Sequence, residues 1–364
     1  MEYQYWFSNL KVSQGIKHRL LEEFGNAREI YYGIDKLQEH CLNQERSFYI
    51  EEKDFLALKQ GKEQWNLGKE WGSFEELGIN FVTLEQESYP NRLKYLSDAP
   101  YGIYYLGELP QEDLPCVSIV GARGRSAYGS EVAKRLGRLL GEQEIAVISG
   151  MARGIDSDAH WGALEGKGKT YAVLGCGVDV CYPAQNRYLY DKILEQGGII
   201  SEYPPGTQPL PRYFPVRNRI ISGLSSAVVV IEAREKSGSL ITADYAMEQG
   251  KDVYALPGPI TASLSCGCNR LISQGAGILW SLEEFVKTLS KGEQSDSISL
   301  SFRKNLLEKE ELLVYSLLDF CPTGIGTLAE KTSIPLGSLL LLLESLVQKG
   351  FIKEEVPNFF TRTL

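Results

Sequence analysis

The chain has 364 residues, 43% of them hydrophobic, with 38 Lys and Arg against 47 Asp and Glu for a formal net charge of -9. That length exceeds one ordinary core and predicts two or three domains, while the acidic balance argues at first against a nucleic-acid partner. No apolar run reaches the roughly 20 residues that span a bilayer, and the opening MEYQYWFSNLKVS has no apolar signal region. Seven scattered cysteines read as reduced thiols, so a soluble cytoplasmic protein with no membrane partner is expected.

Residues 1–80 read as short helices with polar turns. SQGIKHRLLEEFGNAREIYYGI places Ile16, Leu20, Leu21 and Phe24 on one helical face and breaks at Gly25. A helix, a glycine turn and a second helix resemble a SAM or helix-hairpin-helix module. Residues 81–290 follow as an α/β domain, and from Cys116 short apolar strands alternate with helices: CVSIVG, IAVISG, TYAVLG, GIISEY, AVVVIEA, DVYALPG and AGILW. These runs lack a solvated face, which predicts an extended Rossmann-like, doubly wound parallel sheet with its ligand at the carboxyl ends of the strands. A polar linker over 291–305 leads to residues 306–364, where two helices and a hairpin predict a winged-helix domain. Basic and acidic residues number 12 and 20 in 1–114 (-8), 17 and 15 in 115–280 (+2), and 9 and 12 in 281–364 (-3). Only the middle segment is positive.

Its loops are polar in one way. GARGRSAYG offers Gly121, Arg123, Arg125 and Ser126, and SGMARGIDSDAH offers Ser149, Gly150, Arg153 and Gly154 before a helix capped by Asp156 or Ser157. GCGVDVCYPAQNRYL turns on Gly175, Gly177 and Asp179. FPVRNRIISGLS carries Arg217 and Arg219, and EAREKSGSLITADYA brings Ser237, Gly238 and Ser239 to another helix start. Helix N-termini carry partial positive charge and small residues let a phosphate approach them. Several such termini beside Arg123, Arg217 and Arg219 predict a pocket for more than one phosphate. Catalytic constellations are missing: no Gly-x-Ser-x-Gly elbow, Walker lysine or His-Glu-x-x-His occurs, and the three histidines are dispersed. His160 reads as a helix-surface or interdomain histidine. Asp156, Asp158, Asp179 and Glu232 read as caps and turn formers, so no catalytic residue, metal or cofactor is expected.

The ordered series GARGRSAYG, SGMARGID, GCGVDVCYP, SEYPPG, FPVRNRIISGLS, EAREKSGSLITA, ALPGP and GCNRLISQGA closely resembles the DNA-processing protein A family, also called Smf. YPNRLKYLSDAPYGIYYLGEL and the C-terminal segment extend the resemblance to nearly the whole chain. It implies a non-enzymatic protein that binds single-stranded DNA, forms a homodimer, and loads the RecA recombinase on incoming strands during natural transformation. By motif it implies that Arg123 contacts phosphate and that Ser149, Gly150, Arg217, Asn218, Arg219, Ser237, Gly238 and Ser239 line the same pocket. One position departs from the pattern: Ala184 follows Tyr182-Pro183 where relatives often carry lysine, which either lowers affinity or leaves the charge to Arg187 and Arg212. Two rival readings stand beside this one. A Rossmann-like enzyme binding or hydrolysing nucleotides needs a glutamate beside a PGGxGT loop, and the nearest equivalent, EKSGSLITA, lacks the second glycine. A protein adaptor would suit the C-terminal domain, whose expected recognition helix has no lysine or arginine from Pro335 to Gln348.

Overall fold

The structure is a computed structural model that describes residues 1–37, 50–289, 309–318, 323–332, 334–349 and 351–362; the expected linker 291–305 lies outside them. The chain divides into two compact units, Met1–Val286 and Lys287–Leu364. No helix among the described residues is long and apolar enough to cross a membrane.

The first unit is built on a nine-stranded sheet in the order β1-β2-β6-β5-β4-β3-β7-β8-β9. Strands β3 (Cys116–Val120), β4 (Ala146–Ser149), β5 (Thr170–Val173), β6 (Gly197–Ser201) and β7 (Ala227–Val230) are buried at every residue. An unbroken apolar strand must be covered on both faces, and helices from the crossovers do this. Strands β8 (Asp252–Ala255) and β9 (Gly277–Ile278) complete the parallel part. All seven expected strands are present. Two more were not expected: β1 (Asn80–Thr83) and β2 (Gly102–Gly107) pair antiparallel with each other and β2 with β6, so the sheet is mixed rather than wholly parallel.

The chain runs from β3 outward through β4 and β5 to β6, then returns to the other side of β3 as β7. Strand order therefore reverses at β3, where neighbouring loops diverge and leave a crevice. The helices after β3 (Ala127–Glu142) and β4 (Ile155–Glu165) pack backbone to backbone: a Cβ on Gly137 would lie 2.4 Å from the Ala159 carbonyl, and one on Gly162 would lie 2.1 Å from that of Lys134. This close approach fixes the two loops that precede the helices relative to each other.

The N-terminal helices belong to the same compact unit. Ser13 Oγ accepts from the Ile16 amide and Asn26 Oδ1 from the Glu29 amide, starting two of them, and Gly25 (φ +84) ends the helix Gln14–Phe24. Trp6, Phe7, Leu20 and Ile30 form a core that includes Tyr101, while Tyr5 and Phe74 join Tyr104 and Ile199 of the sheet. The second unit holds the helices Lys309–Ser316, Ile325–Thr332 and Leu336–Gln348 and a three-stranded antiparallel sheet. Its core takes Leu339, Leu343 and Leu346 from the leucine run.

Candidate nucleic-acid interface

An open cavity of about 670 Å³ lies at the carboxyl ends of β3, β4 and β7. Gly121 and Arg123 line it from the loop after β3, and Ala152 and Asp156 from the segment after β4. The helix Tyr213–Gly223 contributes Phe214, Arg217 and Asn218, and the loop after β7 contributes Arg234, Lys236, Ser237, Gly238 and Ser239. A small annex adds Gly150, Arg153 and Pro183 and shares Arg123, Tyr182, Phe214 and Arg217 with it.

Local contacts explain why these loops meet. Ser126 caps the helix after β3 by accepting from the Gly129 amide at 3.0 Å, while its own N–H and hydroxyl donate to Glu232 at 2.9 and 2.5 Å. Glu232 follows β7, so one carboxylate ties two crossovers together across the point where strand order reverses. Gly154 has φ +86, and a Cβ there would fall 2.3 Å from the Ala122 carbonyl oxygen and 2.6 Å from that of Arg123. The loop after β4 thus rests against the loop carrying Arg123, an approach that only glycine permits. Asn218 Nδ2 donates to the Gly238 carbonyl at 3.2 Å, and Ser237 Oγ accepts from the Ser239 amide at the start of the helix Gly238–Glu248.

Four cations, Arg123, Arg217, Arg234 and Lys236, line the cavity against one carboxylate, Asp156. Arg217 is buried, donating through Nη1 to the carbonyls of Gly150 (3.1 Å) and Val173 and through Nε to Asn218 Oδ1 (3.3 Å). Burial pulls its pKa down to about 10, with Asp156 opposing that shift. Asp156 is itself buried, and burial raises its pKa against the pull of Arg217 and of backbone amides. Arg123, Arg234 and Lys236 are exposed and sit at the rim. Beside them the rings of Tyr182 and Phe214 lie 5.5 Å apart at 30°.

The structure brings together seven of the expected residues in the cavity, Gly121, Arg123, Arg217, Asn218, Ser237, Gly238 and Ser239, with Gly150 and Arg153 in the annex. It places six elsewhere. Arg125 pairs with Asp158, and Ser126 with Glu232. Ser149 is buried and donates to the Ile119 carbonyl at 2.6 Å. Arg187 pairs with Asp191 at 3.1 Å, and Arg212 extends over the Tyr213 ring. Arg219 is buried between Glu202 and Asp98, 2.8 Å from each. Two smaller expectations are corrected. Gly154, rather than Asp156 or Ser157, is the N-cap of Ile155–Glu165, because Ser157 turns back to donate to the Ala152 carbonyl. His160 lies in the core, with Nδ1 2.6 Å from Thr170 Oγ1 and its pKa pushed down to about 3 by burial. Among the described residues, no cluster of three His, Cys, Asp or Glu side chains could hold a metal. Sequence reasoning passed over Arg234, Lys236, Tyr182 and Phe214. The two cations stood in the quoted EAREKSGSLITA, masked there by the neighbouring Glu232 and Glu235.

The family described as DNA recombination-mediator protein A matches residues 80–290. The DNA processing protein DprA of Streptococcus pneumoniae is 44% identical over 216 residues, covering 59% of this chain and 74% of that protein. The X-ray structure of Streptococcus pneumoniae DprA superposes with a TM-score of 0.67 at 34% identity, covering 79% of this chain and 97% of that one. A structure of DNA processing protein A from Helicobacter pylori, concerned with its single-stranded DNA binding mode, has a TM-score of 0.54 at 31% identity over 58% of this chain and 97% of that one.

Proposed function

The chain belongs to the DNA recombination-mediator protein A family, and we propose that it binds single-stranded DNA in the cavity at the carboxyl ends of β3, β4 and β7, with little sequence preference. One observation carries this reading: four cations face one carboxylate around an open cavity in a chain of net charge -9. Arg123, Arg234 and Lys236 at the rim would hold backbone phosphates, aided by the amides that start the helix Gly238–Glu248. The Tyr182 and Phe214 rings would take bases by stacking, which every base allows because each has a π-face. The Helicobacter pylori relative is described by a single-stranded DNA binding mode, which supports single-strand binding by this chain.

On this reading the protein acts by binding rather than by catalysis. As a homodimer in the cytoplasm, it would protect incoming strands and hand them to the RecA recombinase in natural transformation or recombination. The C-terminal unit, read as a winged helix, would meet a protein partner, since its helix Leu336–Gln348 has no basic residue. The N-terminal helices, read as a SAM-like module, would complete the monomer.

Titration of labelled oligo-dT, single- and double-stranded, at two salt concentrations tests the proposal. Single strands should bind tighter, and the logarithm of affinity should fall with that of salt by roughly 0.7 per phosphate contacted. Equal binding of duplex, or no salt dependence, counts against it. Release of a free base from a nucleoside monophosphate would favour the nucleotide-hydrolysing reading.

A further inference from the structure

A phosphate site of the doubly wound kind is built from backbone N–H groups where strands end and helices begin. Here a protein carboxyl already occupies that place. The Gly150 amide donates to Asp156 Oδ2 at 3.2 Å, and the backbone of Ala152, Gly150 and Gly121 favours the ionised form of this carboxyl. Asp156 reaches them from the first turn of the helix Ile155–Glu165, and its side chain forms part of the inner wall of the cavity.

Its charged neighbour is Arg217, on the helix Tyr213–Gly223. Arg217 commits Nη1 and Nε to protein acceptors and lies so close to Gly150 that a Cβ there would fall 2.6 Å from Nη2. The inner wall therefore has a carboxylate and a guanidinium where an open phosphate cradle would present amides and a cation alone. The outer rim has cations only: Arg123, Arg234 and Lys236.

We infer that Asp156 is a specificity-determining residue that stands in for an anion on the inner wall, so that the cavity refuses free nucleotides and terminal phosphomonoesters and accepts the phosphodiesters of a strand at its rim. The chemistry separates the two ligands. A phosphomonoester is close to dianionic at neutral pH and needs several donors at once, and those donors lie beside a carboxylate of like charge. A phosphodiester carries one charge, and an exposed guanidinium or ammonium at the rim meets it without displacing Asp156. The inference rests on the single-strand reading of the same cavity.

The test uses the full-length protein, calorimetric titration with adenosine 5′-monophosphate, and anisotropy with oligo-dT bearing a 5′-hydroxyl or a 5′-phosphate. The wild-type chain should bind the two oligonucleotides equally, and adenosine 5′-monophosphate should not displace them. Asp156→Asn keeps the shape and removes the charge, and should bind adenosine 5′-monophosphate about tenfold tighter or more, since like-charge juxtaposition is costly. A gain of this kind is not what a damaged fold produces. Wild-type preference for the 5′-phosphorylated strand, or equal nucleotide affinity in wild type and Asp156→Asn, overturns the inference. Should Asp156→Asn fail to fold, Asp156→Ser opens the same place and the wild-type comparison still decides. Failure of the wild type to bind any oligo-dT sinks the single-strand reading instead, and the nucleotide titrations still judge Asp156.

Discussion

The guanidinium of Arg123 lies over the ring of Phe214, 5.5 Å from its centroid, at the rim of the cavity. Among the described residues Arg123 has no carboxylate partner, so the ring holds the side chain in place while its donors stay available. Arg123→Ala should lower oligo-dT affinity about tenfold or more, the worth of a charge-assisted hydrogen bond. Arg123→Lys should recover only part, because an ammonium lacks the planar fork. Anisotropy titrations beside circular dichroism check this; wild-type affinity in a folded Arg123→Ala removes the rim from the binding site.

Arg219 should behave in the opposite way. It is buried and ion-paired with Glu202 and Asp98, so its charge is neutralised within the protein and its guanidinium is out of reach of a strand. Removing one member of a buried pair strands the other charge and costs roughly 3–5 kcal/mol. Arg219→Ala should therefore lose stability in urea denaturation yet keep its oligo-dT affinity per folded molecule. The contrary pattern, stability kept and affinity lost, would return Arg219 to the DNA site.

These two arginines show what was legible. FPVRNRIIS announces a basic helix, but residues two apart on a helix point about 200° from each other. Arg217 and Arg219 cannot both face one cavity. Which of them does so depends on Glu202 and Asp98, which come from distant parts of the chain. Arg125 depends in the same way on a partner from another element, Asp158 of the helix Ile155–Glu165. The seven parallel strands were readable because each is an unbroken apolar run that ends near glycine or polar residues. Strands β1 and β2 were not, since their identity comes from pairing: Tyr105 of β2 meets Ile200 of β6, far along the chain.

Gly154→Ala should weaken the protein in two measurable ways. A Cβ at φ +86 is strained, and it would press on the Ala122 and Arg123 carbonyl oxygens. Positive φ at a non-glycine residue costs on the order of 1–3 kcal/mol before the clash is added. The melting temperature should fall, and oligo-dT affinity should fall with it as the Arg123 loop is pushed aside. Wild-type affinity in the destabilised variant would show that the loop position does not matter for binding.

Lys17 gives a pH dependence to the N-terminal helices. Its Nζ is buried and donates to the Ser8 carbonyl at 2.6 Å. Burial lowers its pKa from 10.5 to about 7, with Glu202 opposing. Between those values the unfolded chain holds a proton that the folded chain has released, so the ammonium penalises folding at the lower end and stability rises with pH. Above about pH 10 the buried Tyr89, Tyr101 and Tyr104 act the other way, since their pKa values are raised. Melting temperature should therefore climb between pH 7 and 9, and Lys17→Met should flatten that climb and melt higher at pH 7. An unchanged slope in Lys17→Met would mean that other groups set it.

The segment 115–280 holds 17 basic and 15 acidic residues, a balance of +2, so a single cavity should bind a strand weakly. Two cavities in a homodimer built through this domain would raise apparent affinity by effective concentration, by about 100-fold or more, without new contacts. Binding should therefore steepen with oligo-dT length once a strand spans both. Deleting residues 300–364 should leave dimer and binding largely intact, because Met1–Val286 is a compact unit by itself and Leu336–Gln348 carries no cation. Light scattering of the truncated chain, with short and long oligo-dT titrated in parallel, separates the outcomes. A monomer that still prefers long strands would refute the two-cavity account, and loss of all binding would move the DNA site to the C-terminal unit.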